Sequence, residues 1–305
     1  MTDLTPFYEF IYDRQCVWHN RCVLNRPAPW TDDAILRDFR FCNVYRELDG
    51  GTLAITRHIT GTDMSSTDKL LNIIAYRIFN RRDTFDRLFD GPLHAATFDR
   101  RAAVAHMDGI DGPLFSNAYL IASHPVDPTY RPHDKHVQVL IMLERLIPEL
   151  PRILNELRTA NGMRGLQIIE QNVPFAGPFL AGQILLDCTY ARDAWGAPDI
   201  VPYTANDFLI VGPGAHWGLE ILFGTKLSPA AADARCRDLY AMQAAEFEHL
   251  RVTRGKDWDD VRWQNPDYPG GRYLCLHDIQ NCLCEYRKYT RLRAGERAKR
   301  RYYKP

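Results

Sequence analysis

One stretch of the chain decides the fold class: residues 165–187 read GLQIIEQNVPFAGPFLAGQILLD. An amphipathic helix ends near Asn172, a tight turn passes through Pro174 and Gly177, and a second helix starts at Pro178. A glycine lets the turn approach a neighbour closely, and the backbone N–H groups at the new helix start suit a DNA phosphate. The stretch predicts a helix-hairpin-helix; the alternative is an ordinary connection between two helices of an α-bundle.

The turn also supplies candidate DNA contacts. We expect Ala176, Gly177 and Phe179 to present backbone N–H groups to solvent near a positive surface. Gly212 and Gly214 are further candidates, because the segment GPGAHWG (212–218) is typical of a helix start beside a substrate or a DNA backbone.

Apolar residues elsewhere recur with a helical period, which predicts an all-α protein. A first helix fits residues 5–24. Thr31 is expected to cap a second helix, which Asp49-Gly50-Gly51 would end, and a third follows Ser65. Further helices fit residues 133–147, 150–160, 164–172, 178–191, 214–223, 229–250 and 277–293. The segment 114–122 is the one ambiguous candidate for a strand.

The composition is that of a globular protein, with 46% hydrophobic and 25% charged residues among 305. No linker separates two domains, so we expect a single helical domain over residues 1–293 and a basic tail over 294–305. The chain has no apolar run long enough for a membrane span and no signal-peptide pattern. We therefore expect no membrane partner. The eight scattered cysteines favour a reducing intracellular compartment.

The formal net charge of zero hides a basic end. Nine basic residues and one acidic residue lie between Arg287 and Pro305. This charge predicts contacts of Arg297, Arg300 and Arg301 with a polyanion such as DNA. The alternative is a solvated helix end that only aids solubility.

Asp207 follows the hairpin in the segment NDFLIVGPGA (206–215). An acid on a loop before a helix start is placed for acid–base work or for stabilising a cation, and the alternative is a cap of a turn or helix. No lysine lies within residues 166–200, so Schiff-base chemistry is not supported.

Polar residues three or four apart share helical faces, where amides suit base edges and arginines suit phosphates. We expect Asn43 and Arg46 to act with Asp207 in catalysis. The residues expected to bind substrate are Trp30, Asp32, Tyr45, Gln183, Asp187, Glu285 and Lys288. The alternative for each polar residue alone is a solvated face or a structural ion pair.

The spacing of Cys275, His277, Cys282 and Cys284 matches neither a zinc finger nor an iron–sulfur loop, so no metal site is predicted there. The sequence also contains no GxxxxGK[ST] phosphate-binding loop, which argues against this chain being a P-loop kinase.

Several segments in order resemble one family, the α-glutamyl/putrescinyl thymine pyrophosphorylases, also described as the helical domain associated with 5-hydroxymethyldeoxyuridine DNA kinase. The segments are PWTD (29–32), FCNVYR (41–46) with Asp49 and Thr52, the hairpin, GPGA (212–215) and LCEYRKY (283–289). The hairpin also resembles that of base-excision DNA glycosylases: Gly177 and Ala181 match the second glycine and the small residue of that motif. Phe175 stands where the first glycine is expected.

The resemblance implies a DNA-glycosylase-like fold adapted to group transfer in bacteriophage thymine hypermodification. It implies a transferase that replaces the pyrophosphate of 5-(pyrophosphoryloxymethyl)uracil in double-stranded DNA with the amine of an amino acid or polyamine. The leaving charge would be neutralised by arginines, with or without a divalent cation such as Mg²⁺. A DNA base kinase is an expected partner, and the host-cell cytoplasm the expected location. The alternatives are a DNA glycosylase that excises a modified base and a non-enzymatic DNA-binding module.

Overall fold

The described part of the chain is built from helices. The computed structural model describes residues 2–116, 134–263 and 273–296, and these ranges contain no β-strand beyond isolated bridges of Arg192 to Thr60 and Pro198. Their α-helices are α1 (Thr5–Trp18), α2 (Ala34–Asp38), α3 (Gly50–Ile59), α4 (Ser66–Phe79), α5 (Arg100–Asp108), α6 (Lys135–Leu146), α7 (Leu150–Thr159), α8 (Gly162–Asn172), α9 (Pro178–Tyr190), α10 (Pro213–Phe223), α11 (Pro229–Arg254) and α12 (Leu276–Arg293). The all-α prediction is confirmed.

The helices form two compact units. The first unit joins Met1–Asp49 to Val211–Pro305 and contains α1, α2, α10, α11 and α12. The second unit, Gly50–Ile210, contains α3 to α9. The single domain expected over residues 1–293 stays a prediction.

The first unit has an aromatic core where α1 packs on α11 and α12. The ring of Phe7 lies edge-on to Tyr286 at 5.4 Å between centroids, and that of Tyr8 lies edge-on to Phe247 at the same distance. The buried hydroxyl of Tyr8 donates a 2.5 Å hydrogen bond to the carbonyl of Leu239, which satisfies its polar atom inside the core.

Two glycines allow α10 to pack very closely on α12. A methyl group at Gly214 would overlap the sulfur of Cys284, and one at Gly218 would overlap the backbone carbonyl of Leu283. Helix backbones approach this closely only where the contact residue is glycine. The glycines of the GPGAHWG segment therefore set the distance between two helices.

The second unit is organised around α4, whose residues 69–79 are all buried. Ser65 caps this helix by accepting a hydrogen bond from the N–H of Asp68 at 3.1 Å, as expected for a helix that follows Ser65. α4 packs against α3, α7 and α9. Its buried Lys69 forms an ion pair with Asp199 at 2.7 Å, so the buried ammonium charge is compensated.

The prediction for the second helix was wrong. Asp33, not Thr31, is its cap, accepting from the N–H groups of Ile35 and Leu36, and the helix ends at Asp38. Gly50 begins α3 where the glycine pair was expected to end a helix. Of the ambiguous segment, residues 114–116 form no strand, and 117–122 lie outside the described residues.

None of the described helices is both long and apolar enough to cross a membrane.

The contact of Gly218 with α12 gives a first prediction. We expect Gly218→Ala to lower the free energy of unfolding by about 2 kcal/mol or more, because the added methyl group meets a backbone carbonyl that cannot rotate away. Urea unfolding followed by circular dichroism measures the change. Gly109→Ala is the control, since a methyl group there makes ordinary contacts, the nearest at 3.5 Å. Equal stability of the two variants would contradict the close approach.

Candidate functional site

One face of α12 collects chain segments that are far apart in the sequence. The Asn281 side-chain amide donates to the carbonyl of Asn43 at 3.2 Å. One turn later, Glu285 accepts a hydrogen bond from the backbone N–H of Cys42 at 3.1 Å. Positions 281 and 285 lie one above the other on a helix. The FCNVYR segment is therefore held against the same helix that carries the LCEYRKY segment.

The next turn of α12 extends this contact. Lys288 donates to the carbonyl of Arg40, and its ammonium lies 4.3 Å from the ring centroid of Phe41. The hydroxyl of Tyr289 donates to Asp33 at 2.7 Å. Lys288, expected to bind substrate, is engaged in positioning the chain that leads to Asn43.

Arg46 is fixed at the centre of these contacts. Its backbone N–H donates to Asp278 at 2.8 Å, and its guanidinium forms an ion pair with Asp49. Asp49 also accepts from the backbone N–H of Asn43 at 2.8 Å, and the Asn43 side chain donates to the Leu48 carbonyl at 2.5 Å. The Arg46 side chain is 11% exposed, so the Arg46–Asp49 pair borders solvent while Asn43 shapes the loop.

Asp278 is a buried carboxylate beneath this loop. It accepts from the N–H of Arg46 and, at 3.0 Å, from the N–H of Cys275. Burial raises the pKa of Asp278 to about 6, although both hydrogen bonds act to lower it. Asp278 was not predicted from the sequence, although its place three residues after Cys275, the N-cap of α12, was an available signal.

Arg14 of α1 supports the same loop from inside the unit and was also missed. Its guanidinium donates to the carbonyl of Cys42 and lies 5.5 Å from the ring centroid of Phe41. Arg14 is 2% exposed, and its Nε has no hydrogen-bond partner among the described residues. Burying a cation with an unsatisfied N–H donor lowers the stability of the fold. The hydrogen bond to Cys42 offsets part of that cost and fixes the position of the loop.

The glycines expected to contact DNA at the start of α10 have another role. Gly212 is buried, and Gly214 faces Cys284 of α12. The small size of Gly214 is explained by its contact with α12, and the expected DNA contacts of Gly212 and Gly214 stay predictions. The GPGA segment nevertheless meets the same helix as the other segments of the family pattern.

The expected aromatic and acidic contacts near the N-terminus divide into surface and core. Asp32 is exposed, and the indole N–H of Trp30 donates to the carbonyl of Arg26 at 2.8 Å. Tyr45 is buried, with its ring stacked on Trp258 at 6.1 Å between centroids. A ring in that position is part of the core, so Tyr45 offers no surface for a substrate.

In the second unit, a short turn joins α8 to α9 and is exposed at Gly177 and Phe179, while the helix-hairpin-helix motif stays a prediction. The N–H of Ala176 donates to the Val173 carbonyl at 3.1 Å, so Ala176 does not offer its N–H to solvent as expected. Phe175 has a φ of +71°, a left-handed conformation that favours glycine. The backbone at Phe175 therefore has a conformation that glycine adopts more easily than phenylalanine.

Asp207 lies at the opposite end of α8 from this turn. A methyl group on Gly162, the first residue of α8, would be 2.6 Å from the Asp207 carbonyl. The exposed carboxylate accepts from the N–H and the hydroxyl of Thr204 at 2.7 and 2.9 Å. These contacts are those of a turn cap. The 11 residues of α8 separate Asp207 from the hairpin turn by roughly 16 Å.

Asp187 and Gln183, both expected to bind substrate, are buried in α9. The Asp187 carboxylate forms two 2.5 Å hydrogen bonds with the guanidinium of Arg77 in α4. Such a bidentate pair, fully out of contact with water, holds two helices together. The ion pair with Arg77 explains why an aspartate stands at position 187, and this partner was not predicted from the sequence.

Two further expectations concern charge. The described residues contain no group of three or more His, Cys, Asp or Glu side chains that could hold a metal ion. Arg297, Arg300 and Arg301 of the basic tail lie outside the described residues.

The comparisons with known proteins identify the family. Residues 2–299 match the model of the family described as 5-hmdU DNA kinase, helical domain. The chain belongs to this family. It is 26% identical over 301 residues to the 5-hmdU DNA kinase of Bacillus phage SP10. No solved structure matches the chain.

The match to the phage kinase covers 94% of this chain and 45% of the phage protein, so the chain spans less than half the length of that relative. The part of the resemblance that names the 5-hydroxymethyldeoxyuridine DNA kinase helical domain is confirmed. The thymine pyrophosphorylase activity and the glycosylase-like fold stay predictions.

Asp278 gives a prediction on pH dependence. Its pKa is about 6 in the folded state against an ordinary 3.8, so the folded protein takes up a proton at higher pH than the unfolded chain does. The free energy of unfolding therefore rises, through this group, as the pH falls from 7 to 5. We expect the wild type to gain about 1 kcal/mol over Asp278→Asn across that interval, measured by urea unfolding.

Asp86→Asn is the control for this measurement, because Asp86 is exposed and paired with Arg57 at the surface. Parallel stability curves for the wild type and Asp278→Asn would show that the buried carboxyl keeps its charge throughout.

The positive φ of Phe175 gives a prediction on stability. Phe175→Gly and Phe175→Ala remove the same ring and differ only in their tolerance of the left-handed backbone. We expect the glycine variant to be more stable by about 1 kcal/mol in urea unfolding. At Phe179, in the first turn of α9, the same two substitutions should rank in the reverse order. If the alanine variant at position 175 is as stable as the glycine variant, the left-handed backbone there costs no free energy and the prediction is wrong.

Proposed function

We propose that this chain is a transferase of phage thymine hypermodification, replacing the pyrophosphate on 5-(pyrophosphoryloxymethyl)uracil in DNA with the amine of an amino acid or polyamine. The observation that carries the proposal is that α12, which bears the LCEYRKY segment, contacts other parts of the family pattern. Asn281, Glu285 and Tyr289 of α12 bind the loop 41–49 and Asp33, the residue after the PWTD segment, whereas the GPGA segment packs on another side of the same helix. A polar cluster built from distant parts of the chain, such as the one around the 41–49 loop, is typical of an active site.

The Arg46–Asp49 pair has the chemistry that this exchange needs. Pyrophosphate leaves with both electrons of its C–O bond, and an arginine fork stabilises the charge on its oxygens. An arriving pyrophosphate competes with Asp49 for the Arg46 guanidinium and so releases the carboxylate. Asp49 then accepts a proton from the ammonium of the amine donor, whose nitrogen attacks the methylene carbon of the base. Asn43, Glu285 and Asp278 hold the loop in place.

The kinase activity in the name of the phage relative fits a separate step. Phosphoryl transfer needs a site for a nucleoside triphosphate, and the 305 residues contain no GxxxxGK[ST] loop. The relative is about twice as long as the match, which leaves room for such a site outside the matching part. We therefore assign phosphorylation of hydroxymethyluracil to a partner kinase and the amine exchange to this chain.

The proposal predicts a product and a residue that makes it. DNA carrying pyrophosphorylated hydroxymethyluracil is incubated with the protein and a pool of amines, and the nucleosides are analysed by mass spectrometry. We expect an amine-substituted thymidine, and a single-turnover rate lowered about a hundredfold or more in Arg46→Gln, because the leaving charge loses its donor. Release of free base and an abasic site would instead identify a glycosylase, and DNA binding without any product a binding module.

Two variants are controls for that assay. Arg57→Gln breaks an exposed arginine–aspartate pair outside the cluster and should leave the rate unchanged. Asp207→Asn should keep the rate within about twofold, since asparagine caps a turn nearly as well as aspartate. A hundredfold loss in Asp207→Asn with a normal rate in Arg46→Gln would move the chemistry to the second unit.

A further inference from the structure

A cavity of about 380 Å³ lies at the starts of α10 and α11, within the first unit. It is lined by Val211, Pro213, His216, Trp217, Pro229 and Asp233. Its volume falls in the range of small-molecule sites in proteins. The lining includes two aromatic rings, His216 and Trp217, and two prolines, and Pro213 belongs to the GPGA segment of the family pattern.

Trp217 is the main surface of this cavity. The indole is 45% exposed, so part of the ring is open to solvent. The guanidinium carbon of Arg287, from α12, lies 4.1 Å from the centre of the Trp217 ring. That stacking holds the ring in one orientation and places a positive charge beside it.

The polar groups of the cavity are also fixed. His216 Nε2 lies 3.0 Å from the Leu227 carbonyl oxygen, a contact in which only the ring nitrogen can donate. The Asp233 carboxylate, which only accepts hydrogen bonds, is held by Arg237 at 2.8 Å. The cavity therefore combines a preorganised aromatic platform, an acceptor at its edge and a neighbouring cation.

We propose that this cavity binds an unstacked nucleobase of the DNA strand, with the base lying on Trp217. A flat ligand with N–H donors at its edge fits the ring surfaces and Asp233, and the phosphate attached to it is attracted by Arg287. An apolar peptide side chain would use neither the Asp233 carboxylate at the edge of the cavity nor the Arg287 guanidinium beside it. This inference rests on the proposed function in taking DNA as the substrate and in placing the modified base beside Arg46.

The base on Trp217 is not the one that reacts. Leu283 and Arg287 face α10, whereas Asn281 and Glu285 face the loop that carries Arg46. An α-helix with its side chains is about 10 Å across, so the two sites lie on different sides of α12. That distance equals about three nucleotide steps at the rise of a stacked strand, and fewer where the strand is unstacked. The cavity is thus a subsite for a base that flanks the modified one.

The test combines a change in the protein with a change in the DNA. Labelled single-stranded oligonucleotides carry one 5-hydroxymethyluracil, and an abasic residue is moved through the flanking positions. With the wild type we expect one position, within about three nucleotides of the modified base, at which the abasic residue weakens binding about tenfold. In Trp217→Ala this sensitivity disappears, while in Trp217→Phe most of it remains.

Trp195→Ala is the matched control, because Trp195 is 93% exposed and lies in the second unit; its profile should equal that of the wild type. If Trp217→Ala does not fold, Trp217→Leu is used in its place, because leucine keeps an apolar side chain of similar bulk but has no flat face for stacking. A wild-type profile with no sensitive position, or an unchanged profile in the Trp217 variant, would overturn the proposal and leave the cavity to an apolar peptide. The measurement needs no turnover, so it is decided separately from the transferase activity.

Discussion

The close approach of α10 to α12 is the constraint on which the first unit depends. At Gly218 the Leu283 carbonyl lies where any side chain would stand, so the two helices have very little freedom to slide. Residues 281 and 285 lie roughly 200° around α12 from Leu283 and face the Arg40–Asp49 loop. The position of that loop, and with it the Arg46–Asp49 pair, follows from the way α12 is seated on α10.

Buried charge is the second theme of the molecule. Arg14, Arg77 and Asp278 are each almost fully out of contact with water, and each is tied to a partner distant in sequence. Such groups add little net stability compared with apolar residues, but removing one partner leaves a charge that is costly to bury. In the first unit these bonds end on the backbone of the Cys42–Arg46 loop. Their effect is to define one loop conformation, as the proposed group-transfer site would require.

Much of the helical framework could be predicted from the sequence, because caps and apolar periods are local signals. Ser65 and the Ser228–Pro229 pair mark the starts of α4 and α11 within one residue. Residue roles could not be predicted equally well. The sequence does not distinguish a glycine that lets a phosphate approach the backbone from one that lets a neighbouring helix approach. Gly214 was therefore predicted to contact DNA, but it lies against α12. Asp187 and Gln183 share a helical face, but periodicity does not reveal that Arg77 faces the aspartate from a helix 110 positions away.

The placement of Asp207 bears on which chemistry the fold can support. If the exposed turn at Gly177 holds a phosphate, Asp207 lies roughly 16 Å away along α8, close to five nucleotide steps from that phosphate. An acid for base excision has to reach the sugar of the nucleotide that is held. Asp207, already bonded twice to Thr204, is poorly placed for this task. Under the proposed function, the turn at Gly177 would hold DNA by its backbone, and the exchange of charged groups would take place at the Arg46–Asp49 pair of the first unit.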